Sequence, residues 1–304
     1  MNYNLITILG PTAVGKTRLA SNIAYSLNSE IISADSRQVY RGMDVGTGKD
    51  LDDYLVFDKL IPYHLIDIIS PQEEFNLFLF QKMFYEIFGT LINKKVIPIL
   101  AGGTGLYLSS ILESYELKPV EFSEERITQL SELSVEELQE KLKLLDSELH
   151  NTTDLLHKER IVKAIILAEE SMKSSDFTKP AINSFTIGIQ EDREKIKKNI
   201  SIRLKERLKN GMIEEVEHLV SAGVTFEKLI FFGLEYKFIG QYLSGDLNYN
   251  DMYQKLNSSI HSFAKRQMTW FRKMERNGVK IHWIDGPDFD EATKLMKKHR
   301  IIND

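Results

Sequence analysis

Short apolar segments alternate with helical stretches over the first hundred residues. Four of these segments have the length and apolar character of buried strands: 5–9, 30–34, 64–68 and 96–100. Pro98 interrupts the last segment, which favours a sheet edge or a strand end at that point. Strands that alternate with helices in this way are typical of a parallel sheet flanked by helices, so the sequence predicts an α/β fold.

Beyond residue 120 the pattern changes to charged helical sequence with regularly spaced leucines. We interpret 121–179 as an all-helical lobe inserted into a core of residues 1–120 and 180–304. Because no glycine and serine linker or fixed-period repeat separates the parts, we expect the two domains to be interleaved. The leucines that indicate helices in the lobe are Leu130, Leu133, Leu138, Leu142 and Leu145.

The strand pattern resumes after the lobe at 184–189, and two long helices are predicted over 193–221 and 249–277. Three side chains of the second helix, His261, Lys265 and Arg272, are predicted to face away from its apolar side. The aromatic residues of this helix could stack on nucleobases, but their helical spacing favours packing in the core. The predicted apolar side comprises Tyr253, Leu256, Ile260, Phe263, Trp270 and Met274.

Composition narrows the possible chemistry. Cysteine is absent from all 304 residues, which excludes disulfides, thiolate metal sites and a cysteine nucleophile and is compatible with the cytoplasm. The apolar run nearest the N-terminus, 5–9, is too short to cross a membrane, so we expect no membrane association. The net charge of −5 argues mildly against nucleic-acid binding, yet 193–209 holds eight lysines and arginines against two glutamates. Such a basic stretch is either a solvated helix face or a phosphate-binding surface.

The most specific motif lies directly after the first predicted strand and before a helix. It satisfies the pattern G-x-x-x-x-G-K-[ST], the P-loop. The glycines allow successive amide groups to point at phosphate oxygens, Lys16 adds a mobile charge, and Thr17 offers a hydroxyl to a magnesium ion. The motif predicts a bound di- or triphosphate, but it does not choose the reaction. Its residues are Gly10, Pro11, Thr12, Ala13, Val14, Gly15, Lys16 and Thr17.

A carboxylate follows the second predicted strand. Asp35 is expected at the carboxyl end of that strand, beside the P-loop, where ligands bind in parallel sheets. A carboxylate in that position could remove a proton from an incoming nucleophile, which is general-base catalysis. Aspartate is also a favoured helix N-cap, and this stretch alone leaves both interpretations open.

Four blocks, in this order along the chain, resemble tRNA dimethylallyltransferases. They are G-P-T-A-V-G-K-T at 10–17, A-D-S-R-Q-V-Y-R at 34–41, G-G-T-G-L-Y at 102–107 and A-K-R-Q-M-T-W-F-R at 264–272. Their joint occurrence is far more specific than a P-loop alone. The resemblance implies a P-loop NTPase-like fold in which the P-loop holds the diphosphate of a prenyl donor instead of consuming a nucleoside triphosphate.

The resemblance also implies a reaction and its catalytic residues. A dimethylallyl group passes from dimethylallyl diphosphate to the N6 amine of the adenosine 3′-adjacent to the tRNA anticodon, with Mg²⁺ as cofactor and diphosphate as product. By resemblance, the residue at the position of Asp35 acts as the base, and the residue at the position of Thr104 holds the amine and the donor. The lysine at the position of Lys16 stabilises the leaving group. Arg193 resembles an arginine near the diphosphate, although an exposed helix face is the alternative reading.

Contacts with tRNA are implied by the same resemblance. The partner is the anticodon stem-loop, and we expect a cytoplasmic monomer. For Arg160 a solvated helix face is again the alternative. The positions that match the family's tRNA contacts are Asp35, Ser36, Arg37, Gln38, Thr104, Arg126, Arg160, His261, Lys265, Arg266 and Gln267.

The chain departs from the family pattern at several positions. The family usually has threonine and arginine where Ile260 and His261 stand, and a second arginine where Asn199 stands. These changes affect the expected tRNA contacts and part of the diphosphate site. They leave Lys16, Asp35 and Thr104 in place.

Three other functions are compatible with parts of the pattern. A P-loop kinase acting on a nucleoside or another small molecule would share the P-loop and the carboxylate after the second strand. A prenyltransferase acting on free adenylate would share the whole site. A non-catalytic RNA-binding protein would keep the fold without the reaction.

Overall fold

The computed structural model describes residues 3–117, 123–145, 158–171 and 179–302. The chain divides into two compact units. The first consists of Met1–Tyr115 and Pro180–Asp304, and the second of Glu116–Lys179. Within the described residues, no helix is long and apolar enough to cross a membrane.

A parallel sheet forms the centre of the first unit. Within the described residues six strands pair in the order β5-β2-β6-β1-β7-β8, all parallel, and β3 and β4 form a separate antiparallel hairpin. The predicted α/β fold with a parallel sheet is confirmed. The strands are β1 Leu5–Leu9, β2 Ile31–Ala34, β3 Leu55–Val56, β4 Lys59–Leu60, β5 Tyr63–His64, β6 Ile99–Gly102, β7 Ser184–Gln190 and β8 Ile281–Asp285.

Two predicted strands differ in extent from the observed ones. The segment 64–68 was expected to be a strand, but β5 ends at His64 because Leu65 and Asp67 have φ angles of 62° and 55°, outside the extended region. The strand predicted at 96–100 begins only at Ile99, after Pro98, which has no amide hydrogen to donate to the sheet. Strand β8 carried no recognised signal.

Helices cover both faces of the sheet, and α4 to α6 belong to the second unit. The prediction of a single helix over 193–221 is wrong, because the helix is interrupted between α7 and α8 at Gly211, whose φ is 93°. The helix predicted over 249–277 is confirmed as α11. The helices are α1 Lys16–Leu27, α2 Leu77–Asn93, α3 Gly105–Leu112, α4 Glu124–Ser131, α5 Val135–Leu145, α6 Lys158–Ser171, α7 Arg193–Lys209, α8 Met212–Ser221, α9 Phe226–Phe232, α10 Leu234–Leu243, α11 Tyr249–Arg276 and α12 Phe289–Lys298; Leu51–Tyr54 forms a 3₁₀ turn.

The first unit has a core on each face of the sheet. Alternate residues of β1 serve the two cores: Leu5 and Leu9 join one, and Ile6 and Ile8 join the other. Each of these side chains is fully buried, which stabilises the fold by about 1.5–3 kcal/mol per residue. This burial fixes β1 in the middle of the sheet, so the loops that follow β1, β2 and β6 meet at one edge.

The second unit has a small core of its own. The helices α4, α5 and α6 bury Leu130, Leu138 and Leu142, three of the leucines that indicated this lobe. Arg126 of α4 binds both carboxylate oxygens of Glu169 in α6, at 3.1 and 2.5 Å. Bidentate pairing of this kind gives the contact between the two helices a defined geometry.

Candidate active site

The P-loop connects β1 to α1 at the carboxyl edge of the sheet. Gly15 precedes the helix with φ 80°, a conformation that glycine adopts without strain. A Cβ on Gly10 would lie 2.7 Å from the Ile189 carbonyl oxygen, so only glycine fits there. The first turn of α1 contains no acidic residue and Gly15 provides no side-chain cap, which leaves the amide groups of the helix free for an anion.

Lys16 lies at the centre of the site. Its Nζ donates to the Pro11 carbonyl oxygen at 2.7 Å. Burial, and secondarily the positive charge of Arg203, lower the pKa of Lys16 to about 8, while the Asp35 carboxylate acts in the opposite direction. A buried ammonium with a lowered pKa is stabilised by an added anion, and a diphosphate provides one.

Asp35 begins the turn that follows β2. Its Oδ1 accepts hydrogen bonds from the backbone N–H groups of Arg37 and Gln38, at 2.9 and 3.4 Å. Asp35 therefore shapes a turn and does not cap a helix. Among the described residues no hydrogen bond engages the other carboxylate oxygen, Oδ2, which is free to accept a proton. Thr104 joins the turn to the loop after β6, because its Oγ1 accepts from the Ser36 N–H at 3.0 Å.

Gln267 of α11 connects two of the loops. Its Oε1 accepts from the Thr12 N–H in the P-loop at 2.8 Å, and its Nε2 donates to the Gly103 carbonyl oxygen at 2.8 Å. A Cβ on Gly103 would lie 2.4 Å from that Nε2. The carboxamide, which the sequence predicts to contact tRNA, is engaged on both sides by backbone groups of the site.

Three adjoining cavities meet at Lys16. The first is a cleft of about 320 Å³, the second is a cavity of about 310 Å³ beside α7, and the third is a space of about 70 Å³ between them. Asp35 and Thr104 line the cleft together with Lys16, so the structure brings the three predicted catalytic residues to one site. Thr17 lines the second cavity and the third.

Two arginines of α7 that the sequence did not single out contribute to this site. Arg203 lines the second and third cavities, and Arg207 lines the cleft. Arg203 pairs with Asp50 at 2.6 Å, while burial and then the charge of Arg203 lower the pKa of Arg207 to about 10. Arg193 is exposed at the start of α7 and lines none of these cavities. The helical spacing of 203 and 207 was the available signal, since it places both on one face of the helix.

Hard oxygen ligands for a cation are present beside the P-loop. The Thr17 hydroxyl and the carboxylates of Asp50 and Asp53 line the second cavity. Burial, and then the charge of Asp50, raise the pKa of Asp53. Mg²⁺ keeps several waters and needs only one or two protein ligands when it also binds phosphate oxygens, so these residues fit Mg²⁺ bound jointly with a diphosphate. Within the described residues there is no cluster of three or more His, Asp or Glu suited to hold a metal ion without such a ligand.

For Phe263, Trp270 and Phe271 of α11 the helical spacing predicts packing in the core, and the structure confirms this for two of them: Phe271 is fully buried, and Trp270 is partly buried against the core. Trp270 also lines the cleft, and Phe263 lines the cleft without joining the core. The guanidinium carbons of Arg37 and Arg266 lie 5.6 and 5.9 Å from the centre of the Phe263 ring. Stacked aromatic and guanidinium groups at a cleft suit a flat, unpaired nucleobase.

The remaining predicted tRNA contacts are distributed over both units. Lys265 is exposed on α11, as the helical pattern predicts. His261 was expected on the outward face, but its Nε2 is buried and has no hydrogen-bond partner among the described residues. In the second unit, Arg126 is engaged by Glu169 as described above. Arg160 belongs to α6, and its side chain lies outside the described residues.

Fold and site together define an α/β protein of the P-loop class. The model of the IPP transferase family matches residues 38–274, and that of isopentenyl transferase matches 3–59. Relatives include tRNA dimethylallyltransferase 1 of Geotalea uraniireducens, 48% identical over 99% of both chains, and tRNA dimethylallyltransferase 2 of Bacteroides fragilis, 49% identical over 98% of both. The chain belongs to the IPP transferase family.

Solved structures agree with this assignment. The full-length tRNA isopentenylpyrophosphate transferase of Bacillus halodurans is 31% identical, with a TM-score of 0.68 over 99% of this chain and 95% of that one. A eukaryotic dimethylallyltransferase acting on tRNA has a TM-score of 0.74 over 99% of this chain and 78% of that one. At 20% identity, the second comparison supports the fold alone.

Proposed function

We propose that this chain transfers a dimethylallyl group from dimethylallyl diphosphate to the N6 amine of the adenosine 3′-adjacent to the anticodon of tRNA. The observation that carries the proposal is that Lys16, Asp35 and Thr104 line one cleft at the carboxyl edge of the sheet. The names of the relatives agree with it. We further propose that the enzyme acts as a monomer in the cytoplasm.

The donor diphosphate binds where positive charge converges. Lys16, Arg203 and Arg207 line the adjoining cavities, and the amide groups at the start of α1 add partial positive charge. In the reaction the bond between the allylic carbon and the diphosphate oxygen breaks, and its electron pair goes to the diphosphate. These cations stabilise the charge that develops on the leaving group.

Magnesium fits the same end of the site. The Thr17 hydroxyl and the Asp53 carboxylate would hold it together with the donor phosphates. When bound, Mg²⁺ neutralises negative charge on the diphosphate and so favours its departure. Because Asp50 already pairs with Arg203, we assign the metal to Asp53 and Thr17.

The acceptor adenosine enters the cleft from the side lined by Phe263 and Trp270. The lone pair of its N6 amine is delocalised into the purine ring, so both positioning and proton removal are needed. The amine nitrogen forms a bond to the allylic carbon, and Asp35 accepts the proton that the nitrogen loses. Thr104 is suited to orient the amine, because its Oγ1 accepts from the Ser36 N–H at 3.0 Å and has a second lone pair that can accept an N–H of the amine, while its hydroxyl hydrogen points to Ser36 Oγ at 3.4 Å.

The test measures transfer of radiolabel from dimethylallyl diphosphate to an anticodon stem-loop. Asp35→Asn keeps an oxygen for the turn but removes the base, so we expect kcat to fall by about 10²–10⁴ with stem-loop affinity retained. Asp290→Asn, at an exposed aspartate of α12, is the matched control. Asp35→Asn with wild-type kcat would contradict the assigned role.

The alternatives give different results in the same assay. Phosphate transfer from ATP to a nucleoside at enzymatic rates would indicate a kinase. Competition between AMP and the stem-loop as acceptor would indicate an adenylate prenyltransferase. Stem-loop binding without transfer by the wild-type protein would indicate a non-catalytic RNA-binding protein.

A further inference from the structure

The loop of residues 43–49 lies between the cleft and the third cavity. Gly46 and Thr47 line the cleft, while Thr47 and Gly48 line the third cavity. The charged side chain of Lys49 is buried away from the site, where it pairs with Asp44 at 2.6 Å. The loop therefore acts on the site through its shape and position and brings no charge to the cavity walls.

A carboxylate from a distant part of the chain holds this loop. Glu215 of α8 accepts hydrogen bonds from the backbone N–H groups of Asp44 and Val45 through Oε2, at 2.7 and 2.6 Å. Its Oε1 accepts from the Gly46 N–H at 3.0 Å. Three consecutive amide groups that converge on one point form an anion-binding concavity, and here the anion is the protein's own carboxylate.

Tyr236 of α10 completes this contact. Its hydroxyl donates to Glu215 Oε1 at 2.8 Å, and its side chain is fully buried. Burial, and then the negative charge of Glu215, raise the pKa of Tyr236, so the phenol stays a donor at neutral pH. A Cβ on Gly46 would lie 2.7 Å from the phenolic oxygen, so only glycine allows the loop to lie this close.

Two arginines of α7 lie against this loop. It is closed internally by a hydrogen bond of 3.2 Å from the Gly48 N–H to the Val45 carbonyl oxygen, so its two halves move together. A Cβ on Gly48 would lie 1.6 Å from Nη2 of Arg207 and 2.8 Å from Nη2 of Arg203. Both guanidinium groups therefore pack on the backbone of the loop, and a displaced loop would leave them without this support.

We propose that Glu215 is a positioning residue for the transfer reaction. It holds loop 43–49 in place, and the loop orients Arg207 and Arg203 toward the donor diphosphate. The inference rests on the proposed function, because it takes these arginines as the diphosphate-binding groups. Glu215 lines none of the three cavities and acts only through the loop.

Substitutions at Glu215 separate the role of its charge from that of its size. Glu215→Gln keeps the shape of the side chain. Its NH₂ group, however, cannot accept a hydrogen bond and would face at least one of the backbone N–H groups that now donate to the carboxylate. Glu215→Asp keeps the charge and is one methylene shorter. Tyr236→Phe removes a single hydrogen bond and is the variant that tests the proposal if Glu215→Gln does not fold. Glu217→Gln, on the exposed side of the same helix, is the control.

The experiment measures binding of magnesium pyrophosphate by calorimetry on the full chain, together with the KM for dimethylallyl diphosphate and for an anticodon stem-loop. Hydrogen exchange of 43–49 reports on the loop, and urea unfolding reports on the folded fraction. Pyrophosphate binding needs no transfer reaction, so it tests Glu215 independently of catalysis.

For Glu215→Gln we expect the Kd for pyrophosphate and the donor KM to rise roughly tenfold, because hydrogen bonds to a charged group are lost. The stem-loop KM should change by less than about twofold, since the acceptor side of the cleft is lined by Phe263 and Trp270 of α11, which lie outside the loop. Tyr236→Phe should give a smaller rise, Glu215→Asp should recover part of the affinity, and Glu217→Gln should match the wild type. Hydrogen exchange of residues 43–49 should accelerate most in the variants that lose the most pyrophosphate affinity.

Two outcomes would overturn the positioning role. One is a wild-type pyrophosphate Kd in folded Glu215→Gln and Tyr236→Phe protein. The other is an increase of both KM values by the same factor, equal to the factor by which the folded fraction decreases. If the wild type binds pyrophosphate but does not prenylate the stem-loop, the proposed function fails, and the pyrophosphate Kd of the variants still decides the role of Glu215.

Discussion

Gln267 provides a sharp test of the site's construction, because its carboxamide binds backbone groups of two different loops. Gln267→Leu removes both hydrogen bonds while keeping a side chain of similar bulk. It leaves the Thr12 N–H and the Gly103 carbonyl oxygen without their partner, and the second of these groups is buried. An unsatisfied buried polar group costs about 1–3 kcal/mol, and water can reach the half-buried Thr12 more easily than Gly103.

We therefore expect Gln267→Leu to lower the free energy of unfolding by about 2–4 kcal/mol, a sizeable part of the 5–15 kcal/mol of a typical domain. Both the donor KM and the stem-loop KM should rise, because the P-loop and the loop carrying Thr104 lose their common support. Urea unfolding followed by tryptophan fluorescence gives the first quantity, and steady-state kinetics gives the second.

Controls distinguish support of the loops from direct tRNA contact. Gln254→Leu, at an exposed position of the same helix, should change stability by less than about 0.5 kcal/mol. Gln267→Glu keeps the acceptor for Thr12 but turns an oxygen toward the Gly103 carbonyl, so it should be destabilising as well. A Gln267→Leu protein that is as stable as the wild type, with only its stem-loop KM raised, would refute the reasoning and favour a tRNA contact.

Three further results are expected. Gly48→Ala should raise the donor KM roughly tenfold because its Cβ displaces Arg207, whereas Gly42→Ala, at a similar φ but with no atom within 4 Å of the new Cβ, should not. Pyrophosphate affinity should be constant below about pH 8 and fall by up to tenfold per pH unit above it, because neutral Lys16 must then take up a proton on binding. An affinity that stays constant through pH 9.5 would be inconsistent with the lowered pKa of Lys16. Leu138→Ala should destabilise the helices of the second unit by about 2–5 kcal/mol in hydrogen exchange, and unchanged protection of α5 would contradict its role in that core.

Local sequence patterns predicted the elements that depend on local chemistry. The P-loop was recognisable because its glycines, Lys16 and Thr17 stand at fixed positions within eight consecutive residues. Helix α11 was recognisable because its apolar residues recur over 28 positions. The failures were also local. Gly211 interrupts a continuous helical pattern, and Leu65 and Asp67 have positive φ angles although their segment has the character of a strand.

The site itself was predicted only in part. Asp35, Thr104 and Lys16 were named from motifs, and the fold brings them to one cleft. The two arginines of α7 were not singled out, because their spacing of four residues also occurs between Arg193 and Lys197 and between Lys205 and Lys209 in the same basic run. For Gln267 the resemblance predicts a tRNA contact, whereas its two hydrogen bonds to the loops exist only once α11 packs beside them.

The sequence by itself determined the class of fold, the phosphate-binding loop and the family, because each depends on residue types at short, fixed spacing. Only the tertiary structure decided which charges face the site and what holds its loops. Glu215 is separated by about 170 residues from the amide groups that it binds, and Gly48 by more than 150 from the guanidinium groups that pack on it. Contacts over such separations follow from the burial of the sheet and its helices, and no local pattern in the chain encodes them.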